Sequence, residues 1–214
     1  MLMNQPTVSL ELHNLAANYG ARTVFRDIDL TLRHGEVLVV SGHNGSGKST
    51  LLRVLCGLQP PTAGSVNYCW GSQTLAPSAA NPLIGWVAPD LALYRELSAA
   101  ENIAFFAELR GIPSDPASIE ALLARVGLGG RGADRVSAYS SGMQQRLRYA
   151  YALVHRPPVL LLDEPTVTLD ERGAAVVAEV IAAQRTQGIT VIATNDPREL
   201  AFGDYILRLG AEHD

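Results

Sequence analysis

Thiol is scarce in this chain: Cys56 and Cys69 are the only cysteines in 214 residues, too few for a disulfide framework to carry the fold. We read both as small buried hydrophobes. Long apolar runs are missing as well. The longest, around Val37–Val40 and Val159–Leu162, are strand-sized and well short of the about 20 residues that cross a bilayer. The opening Met1-Leu2-Met3-Asn4-Gln5-Pro6 lacks the charged and apolar regions of a secretory signal, so a soluble, cytoplasmic chain is expected. Positive charge is also in deficit, 17 Lys and Arg against 21 Asp and Glu, for a net charge of −4. That disfavours nucleic acid, whose affinity comes largely from phosphate neutralisation. A local basic cluster of Arg131, Arg135, Arg146, Arg148 and Arg156 reads either as a solvated helix face or as a surface that meets phosphates or headgroups. His13, His34, His43, His155 and His213 show no metal-ligand spacing and are read as surface or core.

Against these absences stands one dense motif. Gly42-His43-Asn44-Gly45-Ser46-Gly47-Lys48-Ser49 fills the template G-x-x-x-x-G-K-S/T without a gap. Glu36-Val37-Leu38-Val39-Val40 before it has the β-branched character of a buried parallel strand, and Thr50-Leu51-Leu52-Arg53-Val54-Leu55 after it reads as a helix. Backbone N–H groups of such a turn converge on one point, to which the helix N-terminus adds partial positive charge. A polyphosphate satisfies both. Lys48 is placed to neutralise the β- and γ-phosphates, and the Ser49 hydroxyl to take one position on Mg²⁺. The competing reading is a glycine-rich turn with a purely connecting role.

The rest of the chain alternates elements. Residues from about Val8 to Val40 suggest strands of a β-rich lobe, with Gly20 and His34-Gly35 as turns, and Trp70 to Asn81 reads as an exposed hairpin and loop. Helical periodicity runs from Ser98 to Arg110, with Ser98 and Glu101 forming a capping box, and from Ala117 to Val126. After Pro157-Pro158 come the strand Val159–Leu162, a helix over about Glu171–Gln187, the strand Ile189–Ala193 and a last strand near Asp204–Leu209. The expected fold is α/β: a P-loop NTPase core with a mainly parallel sheet, a β-rich N-terminal lobe and an inserted α-helical subdomain. We place core lobes at about 1–88 and 157–214 and the helical subdomain at about 89–156.

The apolar strand Val159–Leu162 ends in Asp163-Glu164-Pro165, and the carboxyl ends of strands are where open α/β sheets hold ligands. Asp163 suits Mg²⁺. Glu164 suits a general base or an orienting group for a water in line with the γ-phosphate. The alternative is an N-cap pair for the following helix.

Taken together, these motifs resemble the nucleotide-binding subunits of ABC transporters, in which a P-loop, a short signature peptide and a Leu-Leu-Leu-Asp-Glu-Pro strand follow in this order. The resemblance spans nearly the whole chain. It implies that Tyr19, in Asn18-Tyr19-Gly20, stacks on adenine, and that the ATP cradle comprises Gly42, His43, Asn44, Gly45, Ser46, Gly47, Lys48, Ser49 and Thr50. Tyr139-Ser140-Ser141-Gly142-Met143-Gln144-Gln145-Arg146 is similar to the signature Leu-Ser-Gly-Gly-Gln, with Ser140, Ser141 and Gly142 as its nucleotide-facing part. Read without the family, it is a capped helix start with a second anion site. The resemblance further implies a head-to-tail homodimer with ATP at the interface, crossed by Thr166-Val167-Thr168-Leu169-Asp170. It also implies a separate membrane-spanning transporter subunit, received near Leu91–Leu97 with Leu93 and Tyr94 in the groove. The implied activity is ATP hydrolysis coupled to transport, with the chain peripheral on the cytoplasmic membrane face. Short length, no C-terminal regulatory extension and Ser-Ser-Gly followed by Gln-Gln-Arg look like the ATPase subunits of haem exporters in cytochrome c maturation.

Beyond three changes within the signature, at Tyr139, Ser141 and Met143, two positions depart from the family. Its loop glutamine falls on Pro89, with Asp90 beside it as a substitute for the water and Mg²⁺ shell. Its switch histidine is replaced by Asn195, which hydrogen-bonds but carries no charge. Slow hydrolysis by Lys48, Glu164 and Asn195 is therefore expected.

Overall fold

The computed structural model describes residues 6–210; residues 1–5 and His213, which figure in the readings above, lie outside the described residues. β1 (Val8–Tyr19) and β2 (Arg22–Arg33) form a long hairpin whose other edge is continued by β4 (Ala63–Trp70) and β5 (Gln73–Leu75), giving an antiparallel sheet ordered β2-β1-β4-β5. β3 (Val37–Ser41), β6 (Ile84–Val87), β7 (Val159–Asp163), β8 (Ile189–Thr194) and β9 (Tyr205–Arg208) make a second sheet, ordered β6-β7-β8-β3-β9, in which every pairing is parallel.

β7 and β8 are buried along their whole length, as expected of Val/Ile/Leu-rich strands covered on both faces. The period of 2 in a strand divides their side chains between two cores. Leu38, Val40, Val159, Leu161, Val191 and Ala193 face the side shared with α1 (Lys48–Leu55) and the antiparallel lobe. Val37, Val39, Leu160, Leu162 and Ile192 face α3 (Ala99–Leu109), α4 (Pro116–Arg125), α5 (Ser141–Leu153) and α6 (Glu171–Gln184). The helices of residues 89–156 thus share one continuous apolar core with the parallel sheet. Truncating Leu160 or Leu162 to Ala would cost about 2–5 kcal/mol.

Each long helix starts on a side-chain cap. Ser98 and Glu101 form the expected capping box of α3, Asp115 caps α4 with Pro116 in the first turn, Ser140 caps α5 and Asp170 caps α6. The Asp163-Glu164 pair caps no helix, so that alternative drops out.

Three features differ from expectation. α6 stops at Gln184, after which Gln187 and Gly188 both donate to the Gln184 carbonyl and close the helix in a turn. The hairpin after Trp70 is present, but the loop beyond it is a short helix, α2 (Pro77–Ala80), with Ala80 fully buried. The backbone of α2 lies so close to Gly57, just past α1, that a Cβ on Gly57 would sit 2.7 Å from Ser78 N, which leaves no room for a side chain at Gly57. The five arginines form no common face. Arg131 pairs with Asp134 at 3.0 Å, while Arg148 is turned inward, donating to the Leu91 carbonyl at 3.0 Å and to Gln145 at 3.1 Å.

Candidate functional site

β3 and α1 are joined by Gly42–Gly47, and the helix begins at Lys48. Gly47 caps the helix with φ 103°, a conformation that L side chains avoid, and a Cβ there would strike Val24. The turn is thereby tied to the antiparallel lobe. Lys48 is 6% exposed, and its ammonium donates to the carbonyls of Gly42 (2.9 Å) and His43 (3.2 Å) while lying 3.6 Å from Glu164 Oε1. A buried cation so placed, with exchangeable partners, is ready to be drawn onto phosphate oxygens. Ser46 and Thr50 are buried and Ser49 half-buried, whereas His43, Asn44 and Gly45 are exposed. The His43 ring turns back to the Asn44 carbonyl at 2.8 Å.

A cleft of about 430 Å³ opens beside this turn, and it gathers Tyr19, Asn44, Gly45, Gly47, Lys48, Ser49, Thr50, Asp163 and Glu164. Tyr19, at the end of β1, is 53% exposed at the cleft and anchors its hydroxyl on Gln59 (2.9 Å) and Thr50 (3.4 Å). This suits a stacking platform better than a core tyrosine. Asp163 and Glu164 line the same cleft. Burial raises the Asp163 carboxyl above its ordinary range, an effect opposed by the Ser49 hydroxyl and by Lys48 and Arg53. A serine hydroxyl beside a buried carboxylate is a fitting pair of hard oxygen donors for Mg²⁺. No cluster of three or more His, Cys, Asp or Glu suited to a metal occurs among the described residues.

Glu164 has φ 50°, a left-handed conformation uncommon for a residue with a side chain. Its carboxyl is also raised by burial, a shift that the Asn195 backbone and Lys48 offset in part. Asn195, at the end of β8, reaches the same place: its backbone N–H lies 3.4 Å from Glu164 Oε2, and its amide donates to Asn44 Oδ1 at 3.0 Å. Lys48, Glu164, Asn195 and Asn44 are therefore one connected group.

Other expected residues fall elsewhere. Pro89 lines the cleft, while Asp90 lines a neighbouring one with Trp86, Leu91 and Arg110. Both sit in a turn just past β6, closed by the Leu91 N–H on the Ala88 carbonyl at 3.2 Å, and the Asp90 charge adds to the rise of the Asp163 carboxyl. The proposed Asp90 contribution to a Mg²⁺ shell gains no support from this placement. Ser140, Ser141 and Gly142 stand at the start of α5, outside the cleft of their own chain; the Ser140 hydroxyl accepts from Met143 N at 3.2 Å, and Gly142 lies against Thr168. Leu93 is half-buried against the helical core, Tyr94 stays exposed with its ring edge-on to Phe105 at 5.2 Å, and the apolar cleft beside them is lined by Leu91 and Ala92. Arg22 and Arg53 were not anticipated in the cleft. Arg53 follows Ser49 by four residues, one helical turn on the same face, which is a readable signal. Arg22, which donates to the Gly45 carbonyl at 3.3 Å, arrives through hairpin geometry and has none.

The raised Asp163 carboxyl carries a stability consequence. The folded state holds this proton more tightly than the unfolded state does, so stability falls as pH rises through the interval between the two values. At neutral pH the ionised Asp163 opposes folding. Asp163→Asn is expected to raise the Tm of the nucleotide-free chain, at ~2–4 °C per kcal/mol for a protein of this size, while removing the extra stabilisation given by MgATP over ATP alone. A lower Tm at pH 7.5 would contradict this assignment of the strain.

A phosphate-binding turn beneath an exposed tyrosine, a buried strand ending in Asp-Glu, and a second capped helix start on the same chain define a P-loop nucleotide-binding domain. The sequence model of the ABC transporter family matches residues 25–167, and the chain belongs to that family, as an ATP-binding domain. It is 37% identical over 189 residues to the cytochrome c biogenesis ATP-binding export protein CcmA of Brucella abortus, covering 88% of this chain and 86% of that protein. It is 34% identical over 191 residues to the linearmycin resistance ATP-binding protein LnrL of Bacillus subtilis, covering 87% of this chain and only 60% of the relative's length. An ABC transporter ATP-binding protein from Pyrococcus furiosus superimposes with a TM-score of 0.82 at 24% identity, covering 94% of this chain and 97% of the other, a likeness that speaks to the fold.

Proposed function

We propose that this chain hydrolyses ATP to power a transporter whose membrane-spanning part is a separate subunit. Family members bind ATP, pair with membrane subunits and dimerise in general; no helix among the described residues is long and apolar enough to cross a membrane. The single observation that carries the reading is the convergence of Lys48, Ser49, Asp163 and Glu164 on one cleft with the Tyr19 ring at its rim. In that cleft Lys48 and the N–H groups of the turn bind phosphate, Ser49 and Asp163 would hold Mg²⁺, and Glu164 takes a proton from the attacking water. Magnesium, when bound, neutralises charge developing on the transferred phosphoryl group. Ser140–Gly142, remote from the cleft of their own chain, would complete the site of a second copy in a head-to-tail dimer. The apolar cleft lined by Leu58, Trp86, Leu91, Ala92 and Tyr151 would receive the membrane subunit on the cytoplasmic side, with residues 89–156 acting as the helical subdomain that carries it.

Haem export for cytochrome c maturation is the cargo reading suggested by the relative CcmA; resistance to an antibiotic is suggested equally by LnrL. Turnover distinguishes a slow motor from an ATP-gated dimerisation module. Asn195 is placed to orient the γ-phosphate, yet it lacks the imidazolium charge that would stabilise the transition state. Asn195→His is therefore expected to raise kcat about tenfold, ~1.4 kcal/mol, measured as phosphate release with the co-purified membrane subunit present. A fast parent enzyme with no gain from the substitution would place that role on another group. No turnover in either would favour the gated module.

A further inference from the structure

The described chain contains one nearly buried carboxylate that the cleft chemistry does not use. Glu199, 3% exposed, lies in the 3₁₀ turn Pro197–Phe202 that follows Asn195. Its Oε1 accepts two hydrogen bonds from Thr166, one from the backbone N–H at 3.1 Å and a short one from the hydroxyl; its Oε2 has no partner among the described residues. Thr166 is two residues beyond Glu164. On the other side of the same loop the Tyr149 hydroxyl donates to the Pro165 carbonyl at 3.0 Å. The loop leaving β7 is thus held at two consecutive residues directly after the left-handed Glu164, and one of those holds comes from the loop leaving β8. Burying a carboxylate with one free oxygen and no salt-bridge partner is unfavourable, so the contact carries a cost that stability alone does not explain.

We propose that Glu199 is a positioning residue for ATP hydrolysis: through Thr166 it locks the loop carrying Glu164 to the loop carrying Asn195, so that both face the phosphates in fixed relation. The proposal rests on the reading of Glu164 as the base. It predicts a loss in kcat without a loss in nucleotide affinity, because Lys48 and the P-loop do not depend on Glu199. A displacement of about 1 Å in a catalytic group can lower a rate by about 10²-fold.

The test compares Glu199→Ala, Glu199→Gln, Thr166→Val and the double variant Glu199→Ala/Thr166→Val. Glu199→Ala is expected to lower kcat by about tenfold or more with Kd for MgATP within twofold. Glu199→Gln, which keeps an acceptor for Thr166, should restore most of the rate. The double variant should be no slower than Glu199→Ala alone, since both changes break one contact. Hydrogen exchange of the 164–170 peptide, measured without nucleotide, should be faster in Glu199→Ala and close to the parent in Glu199→Gln. Unchanged exchange, or additive losses in the double variant, would overturn the latch. If Glu199→Ala does not fold, Glu199→Gln and Thr166→Val decide the question by the same readouts. Absence of turnover in the parent would instead overturn the ATPase reading, and the exchange experiment would still decide whether Glu199 holds the loop.

Discussion

Glu164→Gln is expected to lower kcat for ATP by about 10²–10⁴-fold, the range lost with a positioned acid–base group, and to convert the chain into a stable ATP-bound dimer. Three features of the site lead there. The carboxylate of Glu164 lies 3.6 Å from the Lys48 ammonium, so it adjoins the group that would meet the γ-phosphate. Burial raises its carboxyl above the ordinary range, toward the values at which a base accepts a proton effectively. Its backbone is held at φ 50° by a loop anchored on both sides, which fixes the direction of the side chain. Glutamine preserves shape and can still face Lys48 but cannot take a proton, so binding and dimer closure should survive while cleavage stalls. Light scattering in MgATP is the check. A monomer at all concentrations would show that either the base or the composite site is misassigned. The control Ser140→Arg, which obstructs the signature without touching the cleft of its own chain, separates the two: it should abolish the dimer while leaving ATP binding to the monomer.

Lys48→Ala is expected to weaken MgATP binding by about a hundredfold or more, ~2.8 kcal/mol at 1.4 kcal/mol per tenfold. That is the scale of one or two charge-assisted hydrogen bonds to phosphate, each worth about 1.5–3 kcal/mol. The lysine buries its stem in the first turn of α1 and its ammonium now caps the carbonyls of Gly42 and His43, so its removal also leaves Glu164 without its cation. Circular dichroism should show an intact fold, since α1 keeps Leu51, Leu52, Val54 and Leu55 buried. Equal affinity in parent and variant by calorimetry would remove Lys48 from the phosphate site.

Much of this arrangement is written locally. The turn 42–49, the strand ending in Asp163-Glu164 and the capping box at Ser98 each consist of residues whose chemistry is set by near neighbours, and the structure forms all of them. The near-continuous apolar runs of β3, β7 and β8 likewise foretold buried parallel strands. Features that depend on contacts between distant segments were not legible. Nothing in the sequence near Asn195 indicates that its amide would reach Asn44, 151 positions away, or that Glu199 would meet Thr166, 33 away. The places of Asp90 and Leu93 were hidden for the same reason: the turn after β6 and the packing of the following residues against the helices decide which cleft each side chain meets. The left-handed Glu164 was equally hidden, because glutamate is not a residue whose presence signals positive φ.

The measurement that bears most directly on the central claim is calorimetric titration of the purified parent chain with ATP, with and without Mg²⁺. One saturable site per chain is expected, with Kd between about 1 µM and 1 mM, tightened by Mg²⁺ and weakened about a hundredfold or more by Lys48→Ala. Absence of saturable binding, or binding of equal strength in Lys48→Ala, would contradict the assignment of the cleft between Tyr19, Lys48 and Asp163 as a nucleotide site.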